Sequence, residues 1–313
     1  MPDTVMHRIS LVVATKDRPD DLGKLLESLR RQTVGPAEVV VVDASSEPVE
    51  PLMVKFSDLT IRYVRHWPPS AAAQRNAGIR ACEPGATLIG FADDDTTFEP
   101  KAFANMLNFW QNAAPDLLGA AFNIRNYPQR SSGFLKRSAL ADRLGLYSPR
   151  PGSVARSGWQ TIIGEFAETQ FVDWVPSTAV LFRRAVFDHD VFDEFFDGYS
   201  YLEDLDLGYS LSRIGRLAVV ADAGFFHFPS SAGRVSARTF GRYEVRNRLY
   251  FVRKHSLSLA RCYLGLAIRL AMSVASGLSH WNSGLLIRAL GNVEELVRQS
   301  ITTPKKLPTT SQR

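Results

Sequence analysis

Two cysteines in 313 residues, Cys82 and Cys262, lie far apart and in no metal-ligand spacing. That excludes a disulfide framework, and a reducing cytoplasm is the default compartment. The first residues, Met1-Pro2-Asp3-Thr4, run almost directly into an apolar stretch without the basic and apolar segments of a signal peptide. No uncharged apolar run reaches membrane-spanning length; the nearest, Cys262 to Trp281, is interrupted by Arg269. No internal repeat and no long basic run is present. The net charge of +5 and pI near 9.3 are mild, so charge alone selects no partner, and no nucleic acid is expected. Residues 14–20 contain no glycine. A nucleotidyltransferase with a phosphate-cradling Gly-rich loop after its first strand is therefore disfavoured.

What the chain does have is an ordinary globular composition, 45% apolar and 22% charged. At this length it forms one large domain, or one domain with an appendage. Short buried strands are expected at 9–14, 38–42, 60–64 and 87–92. A helix after Asp20 or Asp21 puts Leu22, Leu25, Leu26 and Leu29 on one face, and an alanine-rich helix covers 70–81. Such alternation predicts an α/β fold with a mostly parallel sheet flanked by helices. Residues 126–164 read as an irregular insertion. Strands return at 171–175, 178–182 and 217–220, a helix opens at Glu203, and the chain turns helical beyond Arg234. The expected divisions are 1–232, with halves near 1–125 and 126–232, a helical region at 233–302, and a disordered tail at 303–313.

The acidic groups carry the chemistry. Asp43 and Asp93-Asp94-Asp95 each fall just past a predicted strand, where ligands sit in open α/β sheets. Three adjacent carboxylates repel one another, and a hard cation such as Mg or Mn with phosphate co-ligands relieves that repulsion. The competing reading is a solvated turn. Glu203-Asp204 offers a general base, or a helix cap. His227 is a candidate metal ligand or a core histidine, and Arg75 can pair with phosphate or with the aspartates. Arg234, Arg238 and Arg242, four apart, share a helical face that suits phosphate or solvent.

Five motifs in order then resemble the family two glycosyltransferases. They are Val12-Val13-Ala14-Thr15-Lys16-Asp17-Arg18, Val41-Val42-Asp43-Ala44-Ser45-Ser46, Gln74-Arg75-Asn76-Ala77-Gly78, Phe91-Ala92-Asp93-Asp94-Asp95 and Glu203-Asp204-Leu205-Asp206-Leu207. The resemblance covers roughly residues 9–230. It implies an inverting enzyme of GT-A fold that uses a nucleotide-diphosphate sugar and a glycan or lipid-linked hydroxyl acceptor. Thr15, Arg18, Asp43, Arg75, Asn76, Asp93 and Asp94 would then contact the donor, and Asp93, Asp95 and His227 the Mg or Mn ion. Asp204 would be the base, supported or replaced by Glu203. The segment Arg246-Asn247 with Leu249-Tyr250 and Arg253-Lys254-His255 resembles the rhamnosyltransferase-like branch. The chain departs from the family at Ala14-Thr15-Lys16-Asp17, where Pro-Thr-Tyr-Asn is usual, and at Trp174-Val175-Pro176-Ser177-Thr178, where a glycine-containing loop is usual.

A role in cell-surface polysaccharide or glycolipid synthesis follows as an expectation. So does peripheral contact of the C-terminal helices with the inner face of the plasma membrane; packing on the main domain or into a homodimer is the alternative. A non-catalytic sugar-nucleotide-binding protein is the remaining rival, and the intact Glu203-Asp204 pair argues against it.

Overall fold

The computed structural model describes residues 7–127, 138–188, 191–230 and 235–301. Its first strand, β1 (Ile9–Thr15), is buried on both sides, as an interior strand of a parallel sheet must be. It leads into α1 (Pro19–Arg30), whose Leu22, Leu25, Leu26 and Leu29 are buried at the predicted spacing. The valine run of β2 (Glu38–Asp43) follows, then a single turn, α2 (Glu50–Met53), and the half-exposed edge strand β3 (Ile61–Arg65). Next come α3 (Ala71–Ala81) and β4 (Leu88–Asp93). These four strands lie in the order β3-β2-β1-β4 and are all parallel.

Beyond β4 the sheet becomes mixed. The remaining strands are β5 (Thr96–Phe98), β6 (Leu117–Ile124), β7 (Gln170–Val172), β8 (Ala179–Arg183) and β9 (Arg216–His227). β8 runs antiparallel between β4 and β6, β9 lies parallel to β6, and β5 and β7 pair antiparallel with β9. The sheet is thus wholly parallel in its N-terminal half and mixed beyond it. β9 is also far longer than the expected 217–220, because it continues past a register shift opposite Phe122 and Asn123 and ends at His227. β7 stops at Val172, short of the expected 175.

Side-chain alternation sorts the core into two layers. Leu11, Val13, Val39, Val41, Leu88 and Ala92 face α1 and the helix α4 (Ala102–Gln111), which contributes Phe103, Met106 and Trp110. Burial of each such Val, Leu, Phe or Met side chain stabilises the fold by about 1.5–3 kcal/mol relative to leaving it in water. The other layer holds Val12 and its register partner Phe91, with Phe182, Phe187 and Phe192 set edge-on around Phe91. α3 packs on this side so closely that a Cβ at Gly78 would fall 2.2 Å from Val12 Cγ1.

The helices α5 (Ala139–Arg143) and α6 (Glu203–Ser212) precede a C-terminal trio, α7 (Ala237–Lys254), α8 (Leu259–Ser279) and α9 (Ser283–Ile301). Ser236 and Ser258 cap α7 and α8 through their side chains. Two compact units emerge. One comprises Met1–Ser131, Pro151–Ser153 and Ile162–Gly233; the other comprises Ser132–Arg150, Val154–Thr161 and Arg234–Arg313. Much of the irregular insertion therefore groups with the C-terminal helices. Within that second unit α7 and α9 approach through glycine. A Cβ at Gly291 would lie 2.1 Å from the Arg238 carbonyl, and one at Gly241 would lie 2.2 Å from the Arg288 carbonyl. Buried Glu244 receives two hydrogen bonds from Arg288. The expected tail at 303–313 and Arg234 lie outside the described residues.

Gly78→Ala should lower the stability of the sheet unit by about 1–3 kcal/mol, because the added methyl overlaps a fully buried valine. A thermal melt drop of several degrees is the expected reading; an unchanged melt would contradict the α3 packing.

Candidate functional site

The carboxyl ends of β1, β2 and β4 meet along one edge of the sheet, and the polar side chains there bind one another first. Asp43, at the end of β2, is fully buried. Its carboxylate accepts hydrogen bonds from the Ser45 and Val49 amides at 2.7 and 2.9 Å, from Tyr63 Oη at 2.6 Å and from Arg65 Nη1 at 2.7 Å. Burial opposes its charge, but these bonds outweigh it and hold the carboxyl below the usual range. Tyr63, desolvated and bonded to Asp43, is pushed up to about 12. Tyr63 and Arg65 were not anticipated. Their signal was alternation on β3, which puts both on one side next to the strand that ends in Asp43.

Gln74 ties the two strand ends together, donating to the carbonyls of Thr15 and Val42 at 3.0 and 2.9 Å. The β1 turn is fixed by Asp17, whose amide donates to Ser45 Oγ and whose carboxylate accepts from the Ser46 amide, each at 2.7 Å. Asp17 sits at φ 56°, in the left-handed region. Such residues cluster at functional loops at a cost of about 1–3 kcal/mol each.

The aspartate triplet splits into three roles. Asp94 turns inward: its oxygens accept from Thr15 Oγ1 at 2.8 Å and Arg18 Nη1 at 3.0 Å, and its side chain is 3% exposed. Burial outweighs those contacts and pushes its carboxyl up to about 6. Asp95 has one oxygen on the Ser230 amide at 2.9 Å and the other 3.1 Å from His227 Nε2, without a well-aligned hydrogen bond at that second oxygen. Burial opposes ionisation of Asp95, and His227 with Ser230 overcomes it, holding its carboxyl below the usual range. Asp93, with a 32% exposed side chain, meets Arg75 Nη2 at 3.1 Å. One ligand atom from each of Asp93, Asp95 and His227 lies within 4.8 Å of the others. Two carboxylates and an imidazole, one oxygen of Asp95 held in reserve, suit a divalent cation such as Mn with open positions for phosphate.

Opposite this cluster stands α6. The backbone before it is left-handed at Ser200 (φ 52°) and Leu202 (φ 81°), which turns the first residues of α6 towards α3. Ser200 Oγ accepts from the Ala72 amide at 3.1 Å. Glu203 receives Arg75 Nη1 at 2.6 Å, so Arg75 bridges Glu203 and Asp93 while its guanidinium lies 5.4 Å from the Phe192 ring. Burial and the adjacent Asp204 push Glu203 upward against Arg75. Asp204 is also raised, first by desolvation. Its side chain accepts from the Leu205 amide at 2.7 Å and is less enclosed than Glu203.

Thr15, Arg18, Arg75, Asp93, Asp94, Asp95, Glu203, Asp204 and His227 thus converge. Asn76 lies in the same region with its amide engaged elsewhere: it donates to the Phe192 carbonyl at 2.8 Å and to Glu194 at 2.9 Å, and accepts from the Phe192 amide at 3.0 Å. Asn126, also unforeseen, fixes His227 by reciprocal backbone bonds of 2.9 and 2.8 Å.

Residues 10–190 match the family model "Glycosyl transferase family 2". Among curated proteins, the uncharacterized glycosyltransferase YwdF of Bacillus subtilis (strain 168) is 36% identical over 94 residues. That match covers 30% of this chain and 34% of YwdF, so the chain spans about a third of that relative's length. Among solved structures, S. aureus TarS 1-349 in complex with UDP-GlcNAc superposes with a TM-score of 0.52 at 16% identity, covering 94% of this chain and 92% of that one. The mannosyltransferase PcManGT of Pyrobaculum calidifontis, in complex with GDP-Man and Mn2+, superposes with a TM-score of 0.54 at 14% identity, covering 96% and 90%. The likeness is one of fold, GT-A.

Asp94→Ala should destabilise the sheet unit by about 1–3 kcal/mol, because it removes the acceptor of the buried Thr15 hydroxyl and the shorter of the two carboxylate contacts of Arg18. Asp93→Ala, at the more open position, should shift the melting midpoint much less. Equal shifts would contradict the division of the triplet.

Proposed function

The chain belongs to glycosyl transferase family 2, and from that premise we propose that it moves a sugar from a nucleotide-diphosphate sugar to an acceptor hydroxyl with inversion. The observation that carries this reading is the pairing of a three-ligand cluster, Asp93, Asp95 and His227, with a raised carboxyl on the half-buried Asp204. Asp93, Asp95 and His227 would hold Mg or Mn, which supplies positive charge to the departing diphosphate. Asp204 accepts the proton of the acceptor hydroxyl. The freed oxygen attacks the anomeric carbon as the bond to the diphosphate breaks, and the nucleoside diphosphate leaves with the electron pair. Because attack and departure occupy opposite faces, one displacement inverts the centre.

Glu203 is a positioning residue in this scheme. Its carboxylate is committed to Arg75, which it holds against Asp93. Thr15 and Arg18 act through Asp94 in the same manner, and Asp43 shapes the loop that receives the nucleotide. Asn76 orders the 192–194 segment. Arg246-Asn247 supports the rhamnosyltransferase-like branch as the finer assignment, with cell-surface polysaccharide or glycolipid as the product class.

A thermal-shift screen of UDP-, dTDP- and GDP-sugars with Mn tests the donor site. A bound donor at 100 times its Kd stabilises the fold by about 2.7 kcal/mol. Asp95→Ala should lose the Mn-dependent part of that shift. Asp204→Asn should keep it while sugar transfer falls by about 100- to 10,000-fold. Full transfer in Asp204→Asn, or no shift with any donor, would overturn the reading.

The pH profile has a definite sign. A base must be ionised, and burial raises the Asp204 pKa above its ordinary 3.8. The acid limb of kcat/KM should therefore lie above 3.8, and Asp204→Asn should abolish it. An acid limb at 3.8 or below would assign the base elsewhere.

A further inference from the structure

The C-terminal helices carry charge and apolar surface in an arrangement that the donor site does not use. Residues 235–301 hold ten Lys or Arg against three Asp or Glu, a net of +7, whereas the whole chain nets +5. The remainder of the chain therefore nets −2, and the positive excess belongs to these helices.

Their exposed faces are not correspondingly polar. On α8 the exposed positions 260, 264, 267, 271, 274 and 278 recur at helical spacing and read Ala, Leu, Ala, Ala, Val, Leu, with no charged residue among them. On α9 the exposed Ile287, Leu290, Val293, Val297 and Ile301 form a second such stripe. Trp281, in the turn between the two helices, is 94% exposed. The inward side of α8 includes two glycines at close approaches: Gly265 meets the Trp159 ring, and Gly277 meets Leu286. Exposed apolar surface of this kind marks an interaction face.

We propose that this face of α8 and α9 seats the chain on an anionic lipid bilayer, lying in the interface. The charge selects the occupant. Pairing with a second copy through the same face would bring two +7 helical units together, whereas an anionic headgroup layer attracts both the charge and the apolar stripe. A tryptophan at the helix turn suits the boundary between headgroup and acyl chain. α8 is long and apolar enough to cross a membrane. Its inner side is nonetheless committed: Arg261 donates to the Leu144 carbonyl at 2.7 Å, and Cys262, Leu266 and Ser273 are buried. A crossing helix would have to abandon those contacts, and an interfacial one keeps them. The proposal stands apart from the donor chemistry.

Sedimentation of the full chain with vesicles tests it. The protein should bind vesicles of phosphatidylcholine containing one-third phosphatidylglycerol, bind pure phosphatidylcholine about tenfold less, and be released by high salt and by carbonate at high pH. The emission of Trp281 should shift to the blue on binding, as the difference between the chain and Trp281→Phe. A double variant, Leu278→Ser with Leu290→Ser, should weaken binding by about tenfold or more while transfer to a soluble acceptor is unchanged. Equal binding to both vesicle types, no binding, or retention in carbonate would overturn the proposal. So would a dimer in sedimentation velocity that the double variant dissociates and vesicles do not displace. Because the wild-type chain is read directly, a misfolded variant would not rescue it.

Discussion

The site rests on two guanidinium groups holding carboxylates that would otherwise repel. Asp93, Asp94, Asp95, Glu203 and Asp204 crowd one edge of the sheet; Arg18 binds Asp94, and Arg75 bridges Asp93 and Glu203. Two like charges 4 Å apart cost about 4 kcal/mol at an effective dielectric of 20, so five cannot gather unaided. Two arginines leave negative charge uncompensated. Part of the excess is absorbed by burial, which raises Asp94, Glu203 and Asp204 towards their neutral forms. The part that remains is concentrated at Asp93 and Asp95 beside His227, where a divalent cation would meet it.

Arg75 also connects the two chemical halves of the site. A single planar fork reaches from the strand-end cluster to the first turn of α6, so a displacement of α6 would disturb Asp93, and a change in charge at Asp93 would be felt at Glu203. Lysine could not reproduce this, having one point charge in place of two fixed directions. The left-handed backbone at Ser200 and Leu202 is consistent with a loop held in place by its contacts with α3 and not by its own preferences.

The sequence made the parallel half of the sheet plain because β1, β2 and β4 are nearly continuous apolar runs, each ending in a polar residue. It concealed strand direction past β4, since apolar periodicity carries no sense of up or down. β8 lies where a strand is expected, yet it runs antiparallel to β4, and β6, which is not among the expected strands, pairs antiparallel with it. The grouping of residues 154–161 with the C-terminal helices was hidden for a different reason. It depends on Arg248, fully buried and donating to the Gly158 carbonyl and Gln160, and composition marks arginine as a surface residue. The acidic members of the site and Arg18 and Arg75 were legible by type or by strand-end position, and Gln74 by its place in a motif. Tyr63, Arg65 and Asn126 were not, because their work is to bond backbone or carboxylate after the strands are already in register.

That distinction divides the motif residues further than resemblance can. Thr15, Asp43, Gln74, Asn76 and Asp94 have their polar groups engaged by the fold itself, and each is nine-tenths or more buried. Asp93, His227 and Asp204 are only half-buried, and Asp95, though buried, keeps one oxygen turned to His227 and the cluster. A motif needs both kinds, so pattern alone weights them equally. Physical accounting does not: losing the first kind removes folding free energy, and losing the second, on the function proposed above, removes chemistry from a site that still stands. The middle aspartate of the triplet belongs to the first kind, and its neighbours on either side belong to the second.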